Sequence, residues 1–475
     1  MIQLITKRLE SIPKHFKSSF VIFFSSFITS ASGFLVTPIF TRLLSLDEYG
    51  LIAQYNSWLN IVAVFATLSL SFGVYQVAMN EFKDDRDSYT LSSLILSNLA
   101  TIVVFAPIFF FSNWFSDYFH LPNSLLVLMF IYLLFNPAMS MWIARQRYEL
   151  EYKRVAIISI SSTLISQIVS VLAVMHINDY NLGIVRLYSM QLPMVIYSFV
   201  LYFMIAKGAK FKVQWSYIKY ALLFNLPLIS HYLAQYALRS TDKIMITNFI
   251  GEAATGIYSL ATTVANISML AWSAMAASLT PYIYENLNTK SYDKINKAVV
   301  FVSLVFGTCC VGASLIGPEI VYILGSQKYM PGVQLIPPIA ASSFLAAIYS
   351  YYSFVAFYHH KTSSIALMTI IAALVNFVLN YIFIPLYGSI AAAYATEGAY
   401  LLYTFLHFLN YKRIVEKERV YNDTLIMCIT GIVTVLSILA GFFYNGVIIR
   451  YSILSLMFFV IIYNKKRLLS SLHFD

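Results

Sequence analysis

Two ionisable side chains stand where a charge is expensive: Arg186 and Glu397 each interrupt a long apolar run. Such a residue inside a bilayer-length helix costs about 2.5–3.5 kcal/mol, so it faces a partner or a wet cavity. A planar guanidinium suits a phosphate group, and a carboxylate held in hydrocarbon suits proton coupling. A structural Arg–Glu pair with no ligand contact satisfies the same two residues equally. Beyond the seventh apolar run stand Arg239, Asp242 and Lys243. Arg239 and Lys243 are four apart and share a helical face, where they would meet an anionic headgroup, and Asp242 is a second candidate for ion coupling. An interfacial ion cluster capping the helix accounts for all three as well. Arg42 and Arg145 lie at the ends of runs, where long basic side chains snorkel; Arg42 is the one kept as a binding candidate. Tyr188, Tyr197, Tyr394 and Tyr403 offer apolar ring faces to sugars, although Tyr and Trp also gather at bilayer interfaces, which accounts for most of the 36 Tyr and 5 Trp. Asn225, His231 and Gln235, and then Asn376 and Asn380, recur near helical spacing and mark polar seams.

The composition identifies the elements that must hold these residues. Of 475 residues, 59% are hydrophobic and only 11% charged, with a mean hydropathy of +0.73. A soluble domain carries about 25% charged residues, so a cytosolic enzyme, a disordered chain and a secreted disulfide scaffold are excluded. Fourteen stretches reach the ~20 apolar residues that a bilayer helix needs: approximately 18–40, 51–79, 91–112, 121–143, 155–175, 184–206, 217–238, 253–281, 296–324, 333–358, 364–386, 389–411, 424–444 and 446–463. The last two are joined only by Asn445-Gly446, which also admits twelve spans and one re-entrant hairpin. The runs are continuous rather than alternating, which favours helices over a β-barrel. The expected fold class is an all-α polytopic membrane bundle of about fourteen transmembrane helices.

Of the 31 Lys and Arg, 25 fall in the N-terminus, the even-to-odd loops and the C-terminal tail, and 4 in the opposite loops. That asymmetry puts both termini in the cytoplasm and accounts for the net charge of +10 without nucleic-acid binding. Lys7, Arg8, Lys14 and Lys17 lead into a first run with no small-residue cleavage site, which reads as a retained helix rather than a signal peptide. Cys309, Cys310 and Cys428 all fall within runs with no CxxC and no Cys/His pair at ligand spacing, so neither a disulfide framework nor a metal site is expected, and no cofactor. Pro38, Pro137, Pro193 and Pro227 lie within or at the ends of runs and are packing kinks or functional bends.

An internal repeat is present at an offset of 206. Phe40-Thr41-Arg42-Leu43-Leu44 with Tyr49-Gly50-Leu51 aligns with Ile246-Thr247-Asn248-Phe249-Ile250 and Thr255-Gly256-Ile257; Tyr188, Gln191, Tyr197 and Phe199 align with Tyr394, Glu397, Tyr403 and Phe405. Arg186 falls opposite Ala392. Six spans per half make the repeat parallel, as in transporters whose two lobes enclose a cavity. The expected organisation is a six-helix lobe over 1–213, a second over 214–411, and two further helices with a basic tail over 412–475.

Pro38-Ile39-Phe40-Thr41-Arg42-Leu43-Leu44-Ser45 with Glu48-Tyr49-Gly50 resembles the first-loop signature of bacterial polysaccharide flippases. Arg239-Ser240-Thr241-Asp242-Lys243 followed by Gly256-Ile257-Tyr258-Ser259 resembles the second-half signature. The resemblance is to the O-antigen flippase group (Wzx type) of the multidrug/oligosaccharidyl-lipid/polysaccharide exporter superfamily, and it covers essentially the whole chain. It implies a MATE-like pair of lobes around a central cavity, a location in the bacterial inner membrane, and translocation of an undecaprenyl-pyrophosphate-linked oligosaccharide from the cytoplasmic to the periplasmic leaflet. It implies a transporter rather than an enzyme, and it leaves open whether a polysaccharide polymerase and a chain-length regulator are partners.

Two rival readings remain. One is a membrane glycosyltransferase or polymerase: Asp84-Asp85-Arg86-Asp87 contains a D-x-D pattern of the kind that holds Mg²⁺ against a nucleotide sugar, but the loop is too short for a nucleotide pocket and reads as a solvated charge run, and the long periplasmic loop bearing Arg that a polymerase would show is missing. A multidrug exporter of the same fold is the nearer rival. The G-x-x-x-x-G-K-[ST] pattern of a phosphate-cradling loop does not occur, so transport would draw on an ion gradient or on consumption of the product.

Overall fold

The computed structural model describes residues 14–177, 180–416 and 418–463; Lys7, Arg8 and the basic C-terminal tail, which enter the orientation argument, lie outside them. The described residues are helical, with no strand. In chain order the first helices are α1 (Lys14–Leu43), α2 (Leu46–Ala66), α3 (Gly73–Glu81), α4 (Arg86–Phe110), α5 (Ser112–Phe119), α6 (Asn123–Tyr148), α7 (Tyr152–His176), α8 (Leu182–Gly208) and α9 (Trp215–Asn225). They continue with α10 (Ile229–Phe249), α11 (Glu252–Ala265), α12 (Ile267–Asn288), α13 (Tyr292–Leu315), α14 (Gly317–Gly325), α15 (Ile336–Tyr358), α16 (Thr362–Tyr387), α17 (Ser389–Val415), α18 (Asp423–Ala440) and α19 (Val447–Tyr463).

Every apolar run coincides with helix, but several runs hold two helices rather than one. Among the described residues nine helices are long and apolar enough to cross a bilayer alone, or ten if α11 and α12, bent by 41° at Asn266, form one span. The second run breaks between α2 and α3, where Leu68 and Ser69 take positive φ; the hydroxyl of Thr101 on α4 donates to the freed carbonyl of Ala66 at 2.9 Å. The seventh run breaks at a 3₁₀ turn over Leu226–Leu228, where Pro227 cannot donate to the helix ladder. Polar side chains that repair such breaks make them tolerable in a membrane.

The chain divides into two compact units, Met1–Leu233 and Ala234–Asp475. The division falls inside the seventh run rather than at 213/214, because α9 is fastened to the first unit. Gln214 Nε2 donates to Asp85 at 2.7 Å, Tyr217 to Asp85 at 3.0 Å and Tyr220 to Glu81 at 2.5 Å. The stretch from 412 onward belongs to the second unit, with α18 packed on α13 and α15. Arg450 fastens α19 through a bidentate pair with Glu319 at 2.8 Å and a bond to the carbonyl of Leu315 at 2.7 Å.

The element boundaries repeat at the offset found in the sequence. α2 and α11 start at Leu46 and Glu252, and α4 and α13 at Arg86 and Tyr292, each pair 206 apart. Within the first unit α6 and α7 both pack on α8; within the second, α15 and α16 pack on α17 in the same way.

Two expectations are corrected here. The run Asp84–Asp87 is not a solvated charge loop: Asp84 is exposed, but Asp85 holds α9, Asp87 pairs with Arg145, and Arg86 donates to the carbonyl of Met79 at 2.8 Å. Arg145, expected only to snorkel, is ion-paired as well, held by Asp87 and by Glu149 at 2.9 Å.

Candidate functional site

In the first unit the motif at the end of α1 and the start of α2 converges on the start of α8. Ser45 and Glu48 form a reciprocal capping box on α2, which satisfies two orphan backbone donors. The second oxygen of Glu48 also accepts from the backbone N–H of Leu182 at 2.6 Å, so one carboxylate fixes the starts of two helices. Asn181 completes the α8 cap by accepting from Ile184 at 3.1 Å. The approach requires glycine at 183, since a Cβ there would lie 2.8 Å from the Glu48 carbonyl oxygen.

This junction places Arg186 in the second turn of α8, because the Glu48–Asn181 cap begins the helix at Leu182, two residues before the apolar run read from the sequence. The Arg186 guanidinium lies over the Phe40 ring at 3.8 Å from its centroid, with Tyr49 at 5.8 Å. Such cation–π contacts contribute about 0.5–2 kcal/mol, more as water is excluded. A guanidinium is planar, and its N–H donors form a fork of the kind that suits bidentate contact with a phosphate. The residues 206 further on, Ile246, Thr255 and Ala392, are all fully buried, so the cation bed belongs to the first half alone.

The other first-unit candidates serve nearby structure. Arg42 is exposed and folds back on α1, donating to the carbonyl of Pro38 at 2.8 Å. Tyr188 donates to the carbonyl of Ser124 at 2.7 Å, tying α8 to α6. Gln191 accepts from the buried Tyr55 at 2.7 Å.

The second unit gathers its polar groups around Asp242 on α10, which is 5% exposed. Oδ1 accepts from Asn380 Nδ2 at 2.6 Å, and Oδ2 accepts from Thr396 at 2.6 Å and Tyr258 at 2.8 Å. Asn376 closes the network, accepting from Asn380 at 3.1 Å and donating to Thr396 at 3.3 Å. Helices α10, α11, α16 and α17 each contribute. The residues 206 earlier, Val36, Ile52, Ser170, Val174 and Met190, hold only one polar side chain. Each half thus carries a polar feature that its repeat lacks.

Glu397, expected to face Arg186, lies in the second unit and is 8% exposed. Its repeat counterpart Gln191 is satisfied by Tyr55, but the position equivalent to Tyr55 is Ala261, and among the described residues Glu397 has no ion pair. Tyr394, one turn earlier, is exposed. Arg239 is exposed beside Tyr349 and Tyr400, at the edge of an aromatic group in which Tyr349 lies 4.3 Å from Tyr403 and 5.3 Å from His407. Lys243 is half-buried next to Asp242. The Asn376/Asn380 seam was visible in the sequence as polar residues four apart; Thr396 and Tyr258 were missed as partners, since neither residue type signals a long-range bond to an acid. Among the described residues, no group of three His, Cys, Asp or Glu could hold a metal ion.

Known proteins resemble the chain in sequence and in fold. The chain is 22% identical over 322 residues to "Lsg locus putative protein 1" of Haemophilus influenzae, covering 66% of this chain and 78% of that protein. Its fold matches a solved structure of the lipid II flippase MurJ in an inward closed conformation, with a TM-score of 0.68 at 15% identity, over 94% of this chain and 99% of the other. It also matches an inward-facing multidrug resistance MATE family transporter of the MOP superfamily, with a TM-score of 0.61 at 13% identity, over 83% and 96% of the two chains. The fold is that of these transporters. Residues 39–334 match the family described as "Polysaccharide biosynthesis protein", and with most of its length matched the chain belongs to that family.

Proposed function

We propose that the protein is a flippase that carries an undecaprenyl-pyrophosphate-linked oligosaccharide repeat unit from the cytoplasmic to the periplasmic leaflet of the inner membrane. The observation that carries this reading is the aromatic-bedded Arg186, built from the family's first-loop residues and absent from the second half. In this reading Arg186 contacts the pyrophosphate, with Arg239, Lys243 and Arg42 adding positive potential and Tyr188 and Tyr394 flanking the glycan, while the lipid tail stays in the bilayer. Binding groups are exposed alternately to the two faces of the membrane, in a fourteen-crossing topology with both termini cytoplasmic.

An ion gradient drives the cycle, and Asp242 is the coupling group. A carboxylate ringed by the side chains of Thr396, Tyr258, Asn376 and Asn380 offers oxygens to a proton or a small monovalent cation; Glu397 is the second coupling candidate. The test is reconstitution into vesicles bearing fluorescent undecaprenyl-pyrophosphate-linked glycan, with protection from an impermeant quencher reporting transbilayer movement. Because the fold is shared with a multidrug transporter, the same vesicles are offered organic cations. Cation export without glycan-lipid movement would reverse the assignment.

A further inference from the structure

A second basic recess lies in the first unit, on elements other than those that hold Arg186. Between the start of α3 and the end of α6, a cavity of about 470 Å³ is lined by Ser71, Gln76, Ser140, Arg147 and Tyr148 among others, none of them a carboxylate. The charges around it are unequally shared. Glu149 is taken by Arg145 at 2.9 Å and approached by Arg86 at 3.6 Å, and Asp87 is taken by Arg145. Arg86 also stands over the Tyr148 ring at 5.0 Å. Two carboxylates are thus committed to two arginines, and Arg147 is the third cation. Among the described residues its side chain forms no ion pair and no hydrogen bond. A surplus guanidinium in a recess with two serine hydroxyls, a tyrosine and an amide is matched by an anion rich in oxygen acceptors. The volume falls in the range of small-molecule sites, about 300–1,000 Å³.

We propose that this recess binds the phosphate of a lipid-linked ligand, namely the pyrophosphate of the transported polyprenyl glycan, with Arg147 supplying the charge and Ser71, Ser140 and Gln76 the neutral contacts. The inference rests on the flippase reading and deepens it, giving the headgroup a second station apart from Arg186. In the proposed topology this station lies at the cytoplasmic end of the fourth span, where the substrate is loaded.

The test uses the full chain in phosphatidylcholine nanodiscs, titrated with undecaprenyl pyrophosphate and separately with phosphatidylglycerol. Arg147→Ala is expected to weaken undecaprenyl pyrophosphate binding about tenfold, the size of one lost charge-assisted contact, and Arg147→Lys to retain part of it. Ser140→Leu keeps the cation, fills the cavity, and is expected to weaken binding as well. A smaller effect on phosphatidylglycerol supports the glycan lipid as occupant; an equal effect on both overturns that assignment in favour of any phosphate-bearing lipid. Unchanged affinity in both Arg147→Ala and Ser140→Leu, with Arg186→Ala still impaired, overturns the recess and leaves the flippase reading standing. Wild-type protein that binds no undecaprenyl pyrophosphate overturns both.

Discussion

Replacing Asp242 with Asn removes one negative charge and keeps the side chain's shape. The native carboxylate accepts one bond at Oδ1, from Asn380, and two at Oδ2, from Thr396 and Tyr258. An Asn with its oxygen toward Asn380 keeps the first bond, and its amide then faces two hydroxyls, which turn to accept. The stability lost is about 1 kcal/mol, the scale of one net hydrogen bond. Asp242→Ala instead strands three buried donors at about 1–3 kcal/mol each; with incomplete additivity the loss is roughly 3–6 kcal/mol. The assay pairs thermal unfolding of purified protein with initial rates of glycan-lipid movement in vesicles, with and without an imposed pH or sodium gradient. Asp242→Asn is expected to unfold within a few degrees of the wild type and to lose the gradient's acceleration, whereas Asp242→Ala is expected to be poorly folded. Glu397→Gln, run alongside, reports whether the second acid shares the role. An Asp242→Asn protein that responds to either gradient as the wild type does would refute the coupling role; one as unstable as Asp242→Ala would refute the hydrogen-bond reasoning.

Three further outcomes are expected. Arg186→Ala should abolish glycan-lipid movement while Arg186→Lys keeps part of it, since an ammonium retains charge but not the planar donor fork; full activity of the Ala variant in the vesicle assay removes Arg186 from the mechanism. Gly183→Ala pushes a methyl against the Glu48 carbonyl at 2.8 Å and should lower stability by about 1–3 kcal/mol, whereas Gly33→Ala, with nothing within 4 Å, should not; equal melting temperatures would contradict the packing described. The Ser88 hydroxyl, opposed by partial burial and joined by Tyr217, Lys212 and Gln214, holds the Asp85 carboxyl below its usual range. A carboxyl lowered by folding stabilises above its unfolded value of about 4 and loses that contribution as pH falls through the folded value. Protection factors for hydrogen exchange over 214–220, taken relative to the intrinsic rate at each pH, should therefore fall below pH ~4, and Asp85→Asn should reproduce the effect at neutral pH; protection factors unchanged from pH 7 to 3 would contradict the docking of α9 through Asp85.

The helical segments and the repeat were legible because both are local or periodic properties. Apolar runs of bilayer length have few alternatives to helix, and the offset of 206 that aligns Tyr49-Gly50-Leu51 with Thr255-Gly256-Ile257 also aligns the starts of α2 and α11. The breaks were legible only in part. Pro227 stood out as a bend within its run, but the turn at Thr67-Leu68-Ser69 carries no Gly or Pro, and the donor that repairs it, Thr101 on α4, needed the fold. Arg186 was identified from its charge and Phe40 and Tyr49 from the first-loop motif, but that the two rings form the bed of the cation needed the fold, since more than 130 residues separate them from Arg186. The run Asp84–Asp87 misled for the same reason: its partners Gln214 and Tyr217 lie more than a hundred residues away, and a short charged loop reads as solvated until they are in place. Around Asp242 the sequence exposed the acid and the Asn376/Asn380 seam, but not the register of α17 that brings Thr396 rather than Glu397 to the carboxylate.

The most direct test of the central claim is the leaflet occupied by lipid-linked oligosaccharide in cells with and without the protein. Loss of the protein should leave undecaprenyl-pyrophosphate-linked glycan on the cytoplasmic leaflet, inaccessible to probes added outside spheroplasts, and the wild-type chain but not Arg186→Ala should restore its accessibility. Glycan-lipid that reaches the periplasmic leaflet at the same rate without the protein would contradict the account.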